Sequence, residues 1–266
     1  MGANLRSRLI TALVAIPLLT LLIIWAHPWV FGGFFFLLTI AALREYFAMA
    51  FPGRAREQLC GIVLGAGVSL MVFLPQERNL WLSLLLVVCF SSYLFMRGGL
   101  KDKIIKLAWT LLGCVYLGYL LPHWVLLFRL PHGRAWVAFV LLVIMTGDTV
   151  AYFVGNRFGT KKLAPRISPG KTVEGAWGYV AGSVIAGYVG AKFILPESSS
   201  LEAATLAFWL SILGQAGDLF ESWIKRMFAV KDSGSLLPGH GGLLDRLDSL
   251  IFPAVFTTAY LKVFHS

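Results

Sequence analysis

Charge is what this chain has least of. Asp, Glu, Lys and Arg together make up 14% of its 266 residues, while hydrophobic side chains reach 58% and mean hydropathy is +0.77. A soluble fold would have to bury several continuously apolar helices with almost no polar face. Repeated apolar stretches instead describe a polytopic membrane protein. Cysteine is scarce too. Cys60, Cys89 and Cys114 each lie alone in an apolar stretch without Cys-x-x-Cys spacing, so they read as small buried hydrophobes and say nothing about redox compartment. Internal repeats and low-complexity segments are missing. So is any basic–aromatic platform, and no nucleic-acid partner is expected.

The apolar stretches predict spans near 9–26, 29–50, 59–74, 80–96, 105–127, 135–155, 173–195, 201–221 and 250–264. Open sheet edges cannot face lipid, so helices are the default. The expected fold is therefore all-α: a polytopic integral membrane protein of about nine transmembrane helices. It would form a single membrane-embedded domain over 1–266, with N-terminal helices in 1–130 and catalytic helices and loops in 131–266. The short basic segment before residue 9 resembles a signal peptide, but the apolar run is long for one and no Ala-x-Ala site follows. An uncleaved first span is the better reading. Gly65, Gly67, Gly178, Gly182, Gly187 and Gly190 suit close helix packing.

Orientation follows from the basic residues. With a cytoplasmic N-terminus, the inside segments hold 18 of the 23 Lys and Arg residues, leaving Arg78, Arg129, Arg134, Lys192 and Lys262 elsewhere. Positive charge favours the cytoplasmic side. The segments 156–172 and 222–249 then face the cytoplasm, where nucleotides are. The net charge of +10 is explained by this bias and by attraction to anionic headgroups.

Against this apolar background four polar clusters stand out, because charge beside a bilayer is costly and marks function. Asp148, in Gly147-Asp-Thr-Val-Ala-Tyr152, is either paired with an arginine of a neighbouring span or a metal or substrate contact. Ser168-Pro-Gly-Lys-Thr172 lacks the spacing of a P-loop and does not follow a strand. Lys171, the hydroxyls of Ser168 and Thr172, and backbone near Gly170 can nonetheless bind phosphate, and Thr172 can cap the next helix. A basic cytoplasmic loop is the plainer alternative. Asp218, Glu221 and Lys225 share one helix face. They are either intrahelical pairs, Glu221 with Lys225 and Asp218 with Ser222 or a distant lysine, or ligands for a divalent cation. Asp245 and Asp248 repeat the spacing of three beside Arg246, and Gly239, Gly241 and Gly242 flank His240 in a loop whose amides can face an anion. No second histidine or cysteine is spaced for zinc. Oxygen ligands alone suit Mg²⁺ or Mn²⁺.

The stretch from Ser222 to Asp248 carries S-x-hydrophobic-K-R, K-D-S at Lys231-Asp232-Ser233, and L-P-G-H-G-G-hydrophobic-x-D-R-hydrophobic-D. It resembles the phosphatidate cytidylyltransferases, or CDP-diacylglycerol synthases, as do Gly147–Tyr152, Ser168–Glu174 and Asp218–Ser222 upstream. The resemblance implies an enzyme of the bacterial inner membrane that joins CTP and phosphatidic acid into CDP-diacylglycerol and pyrophosphate. It implies Mg²⁺, with Mn²⁺ as an alternative and room for a monovalent cation, and a homodimer. The expected catalytic residues are Asp218, Glu221, Lys225, Arg226, Lys231, Asp232, His240, Asp245, Arg246 and Asp248. Asp218, Glu221, Asp245, Asp248 and Asp148 would serve the metal. Ser168, Lys171, Thr172, Glu174 and Ser222 would bind substrate. A CTP-dependent lipid kinase and a transporter are the rival readings. The long Lys231–Asp248 motif argues against the first, and charges clustered at one membrane edge argue against the second.

Overall fold

In the computed structural model, residues 17–72, 78–95, 99–195, 198–234, 236 and 241–264 are described. Helix follows helix: α1 (Pro28–Ala50), α2 (Ala55–Val72), α3 (Arg78–Phe95), α4 (Leu100–Gly113), α5 (His123–Arg129), α6 (Gly133–Phe158), α7 (Val173–Ile194), α8 (Ser200–Met227) and α9 (Leu244–Phe264). Six described stretches are long and apolar enough to cross a membrane, namely α1, α2, Leu100–Arg129, α6, α8 and α9. The protein is an all-α polytopic membrane protein. Of the expected first span, 9–26, residues 17–25 are helical and the part before 17 lies outside the described residues. The expected span 80–96 appears as the shorter apolar helix Leu80–Leu94. Helix α7 runs 22 residues, but its glycines, Glu174 and Lys192 dilute its hydropathy, and it falls outside the six.

Three expectations about the elements need correction. The span at 105–127 is not one regular helix. Residues Cys114–Leu120 form a π-helical segment, and a turn at Leu121–Pro122 precedes α5. Proline has no N–H for the helical ladder, so the break falls there. The last helix starts at Leu244 rather than 250, which puts Asp245 and Asp248 on its first turns instead of in a loop. Finally, the polar segment after α6 is not merely a loop. β1 (Lys162–Ala164) and β2 (Ser168–Thr172) pair as an antiparallel hairpin, with Lys162 opposite Thr172.

Close helix approach depends on glycine, as the sequence suggested. A Cβ on Gly178 or Gly182 of α7 would lie 2.8 or 2.7 Å from Val154 or Val150 of α6, and one on Gly65 of α2 would lie 2.7 Å from Leu43. The α6–α7 pair is the most extensive contact among the described helices. The core, including Phe31, Tyr46, Leu117, Trp124, Phe139, Ile144, Leu210 and Ile251, joins α1 to the C-terminal helices. Leu37, Val63, Ile104, Ile185, Phe193 and Phe264 stay on the outside, where lipid is the solvent.

Candidate active site

Polar side chains gather where the C-terminal end of α6, the hairpin, the start of α7 and the last turns of α8 meet. Each element is held there by local chemistry. Thr172 caps α7, its hydroxyl accepting from the Gly175 amide at 3.1 Å. Glu174 in the first turn of α7 reaches back to the chain entering the hairpin. It accepts from the Thr160 hydroxyl at 2.5 Å, the Thr160 amide at 3.1 Å and the Lys161 amide at 3.3 Å. Glu174 is thus a latch on the hairpin. Arg226 performs a similar task, donating from Nε to the Ile167 carbonyl at 3.0 Å and from Nη1 to the Val230 carbonyl at 3.2 Å.

The result is a cleft of about 230 Å³ bounded by Asp148, Tyr152, Gly155, Lys171, Thr172, Tyr179 and Asp218, among others. Ligand pockets for whole small molecules usually exceed roughly 300 Å³. This one suits a phosphate-bearing portion of a larger ligand, the rest lying outside it. Lys171 of β2 reaches across to Asp218 of α8, Nζ to Oδ2 2.5 Å, with both side chains 27% exposed. Asp148 feels the charges of Asp218 and Lys171 and the side chain of Ser249 on α9, and among the described residues no arginine acts on it. Asp248 is buried and interacts with Asp218, Glu221 and Lys171. The approach of α8 to α9 is set by Gly217, where a Cβ would meet the Asp248 carbonyl oxygen. Lys171 thus pairs directly with Asp218 and acts electrostatically on Asp148 and Asp248, which come from two further helices.

The other two carboxylates face elsewhere. Lys225 sits between Glu221 Oε2 and Asp245 Oδ1, 2.7 Å from each. Asp245 also accepts from the Gly242 amide at 2.9 Å and the Ser233 amide at 3.1 Å. Gly241, at φ +81°, gives the backbone the left-handed turn this needs. Of the glycine loop, the Gly242 amide faces an anion, and that anion is Asp245 itself. Glu221 is fully buried, and its Oε1 has no hydrogen-bond partner among the described residues.

A residue the sequence reading passed over completes this part. Glu45 of α1 is buried and accepts from the Leu244 amide at 2.9 Å, the Leu243 amide at 3.0 Å and the Ser233 hydroxyl at 3.1 Å. It caps the last helix with a carboxylate, where the helix dipole favours negative charge. The available signal was a lone acid inside the apolar stretch 29–50.

The remaining candidates are more dispersed. Ser222 donates to Asp218 at 3.5 Å, the edge of hydrogen-bonding distance. Ser168 is half-buried at the start of β2. Lys231 and Asp232 are exposed after α8, and Arg246 is exposed on α9. His240 and Gly239 lie outside the described residues. Among the described residues, no three His, Cys, Asp or Glu side chains converge as a preformed metal cage.

The cytidylyltransferase family profile matches residues 6–264, nearly the whole chain. The chain belongs to that family. It is 34% identical to the phosphatidate cytidylyltransferase of Brucella abortus over 266 residues, covering 98% of this chain and 95% of the relative. To the Staphylococcus epidermidis phosphatidate cytidylyltransferase it is 31% identical over 260 residues, 93% of this chain and 95% of the other. The Bacillus subtilis protein of the same name matches at 40% over 157 residues, 58% and 57% of the two chains.

Proposed function

We propose that this protein transfers the cytidylyl group of CTP to phosphatidic acid, giving CDP-diacylglycerol and pyrophosphate. The observation that carries this reading is the cleft lined by Lys171, Asp148 and Asp218, with the buried Asp248 within electrostatic reach of both Lys171 and Asp218. Positive-inside bias supports nine spans with a cytoplasmic N-terminus, and a cleft opening to the cytoplasm of a bacterial inner membrane. The assembly is a homodimer on this reading.

The attacking group is a phosphate oxygen of phosphatidic acid. A phosphate monoester has its second pKa near 6, so it is largely dianionic at neutral pH and needs no strong general base. Its oxygen forms a bond to the α-phosphorus of CTP. The bond from that phosphorus to the bridging oxygen breaks, and the electron pair leaves with pyrophosphate. The difficulty is bringing two polyanions together, since unit charges about 4 Å apart repel by roughly 4 kcal/mol at an effective dielectric near 20. Lys171 offsets part of this from the wall of the cleft. The carboxylates suit Mg²⁺, which is bound through one or two carboxylates and completes its shell with water and phosphate oxygens, so a preformed cage is not required. Asp218 and Asp248 would hold it, with Asp148 beside them, and it would neutralise charge on the phosphates in the transition state. Glu221 and Asp245 already hold Lys225, and support the site from behind.

The deciding experiment uses purified protein in detergent, phosphatidic acid, Mg²⁺ and CTP labelled at the α- or the γ-phosphate. Label from the α position alone, entering the lipid and lost with EDTA, is the expected result. Label from the γ position would make the protein a lipid kinase. In the same assay Asp218→Asn is expected to lose activity at limiting Mg²⁺. The loss should exceed the roughly 10- to 100-fold typical of removing a group that only orients a metal ligand. Full activity would remove Asp218 from the metal assignment.

A further inference from the structure

We propose that the phenol of Tyr179 is a substrate-contacting group that donates a hydrogen bond to a phosphate oxygen bound in the cleft. This rests on the cytidylyl-transfer reading and adds a residue to it. Tyr179 is on α7, is 3% exposed, and borders the cleft beside Asp218 and Asp148. Its ring fills a slot made by glycines on the two flanking helices. A Cβ on Gly147 of α6 would lie 2.5 Å from Cε1, and one on Gly214 of α8 would lie 2.7 Å from the hydroxyl. Packing of this kind fixes the ring and holds the hydroxyl against Gly214, one turn before Asp218 on α8.

That oxygen makes no hydrogen bond to any described residue. It feels the charges of Asp148, Asp218 and Asp248 together, yet donates to none of them. A buried hydroxyl left without a partner costs about 1–3 kcal/mol, and native proteins rarely leave one unexplained. A phenylalanine would fill the same slot without that cost. The hydroxyl is therefore explained by a partner that arrives with substrate. A phosphate oxygen drawn between Lys171 and the carboxylates is the acceptor whose chemistry fits, because a phenol, ordinarily protonated below pH 10, is a neutral donor that adds no charge to the site. The buried hydroxyl of Tyr116, also without a hydrogen-bond partner among the described residues, does not border the cleft and is not part of this assignment.

The test is Tyr179→Phe in the full-length protein, read by the α-label assay and by thermal unfolding. The expected outcome is an unchanged or higher midpoint of unfolding with kcat/KM lowered roughly 10- to 100-fold, the range for a hydrogen bond to a charged group. A change confined to the KM for phosphatidic acid would assign the lipid phosphate as acceptor, and one confined to the KM for CTP would assign the triphosphate. A fall in kcat alone would assign the phosphate in the transition state. Activity within twofold of wild type would overturn the proposal while leaving cytidylyl transfer standing. A midpoint that falls together with activity would also overturn it, because the hydroxyl would then be structural. A wild-type protein that moves no α-label would remove both readings.

Discussion

Lys225→Met is expected to remove activity and to lower the midpoint of thermal unfolding by on the order of ten degrees. The ammonium lies 2.7 Å from both Glu221 and Asp245, and the three side chains are 11%, 0% and 13% exposed. Removing one member of a buried ion pair costs roughly 3–5 kcal/mol, because the partner charge stays behind without compensation. Here two carboxylates would stay behind, close enough to repel each other. The double variant Lys225→Met with Glu221→Gln removes the second buried charge as well and should recover much of the lost stability. If the double variant unfolds no later than the single one, the Glu221–Lys225–Asp245 group is not the stabilising unit described above. If it regains both stability and turnover, Lys225 has no role beyond holding that group together.

Glu45→Ala should be nearly as damaging, although Glu45 lies in the first third of the chain and outside the cleft. Three donors converge on its carboxylate: the amides of Leu243 and Leu244 and the hydroxyl of Ser233. Each buried donor left unpaired costs about 1–3 kcal/mol. The loss falls on the N-terminus of α9, which carries Asp245 and Asp248. Glu45→Gln keeps the shape, but turns one acceptor oxygen into an amide NH₂ donor facing other donors, so it should rank between alanine and wild type. Turnover per folded molecule and the unfolding midpoint, measured on all three proteins, should both follow that order. An alanine variant matching wild type in both would show that α9 does not depend on this cap.

The polar clusters were legible in the sequence because charge is conspicuous in an apolar chain. Asp218 and Glu221 announce a shared helix face by their spacing, and Thr172 announces itself as a cap. The Glu221–Lys225 pair follows from helix periodicity. Its third member, Asp245, does not, since no local pattern reports that α9 begins at Leu244 and returns to α8. The division of carboxylates into those around Lys171 and those around Lys225 is likewise a tertiary fact. The hairpin escaped because strands of three and five residues, interrupted by Pro169 and Gly170, show too little alternation to be distinguished from a loop. Glu45 and Tyr179 escaped for a different reason: each belongs to a long apolar run, and only the fold reveals what its oxygen atoms face.

The reach of Glu45 also sets an order of events during synthesis. Its partners lie 188 to 199 residues further along the chain. At about 5–20 residues per second, a ribosome needs roughly 10–40 seconds to make them. During that interval α1 is available to enter the bilayer with a carboxylate that has none of these donors, a costly arrangement until α9 arrives. A shallow, tilted α1 would ease the wait. Closure of the last helix onto the first therefore waits for the end of synthesis: a chain interrupted before Leu244 lacks the backbone amide that α9 gives to Glu45.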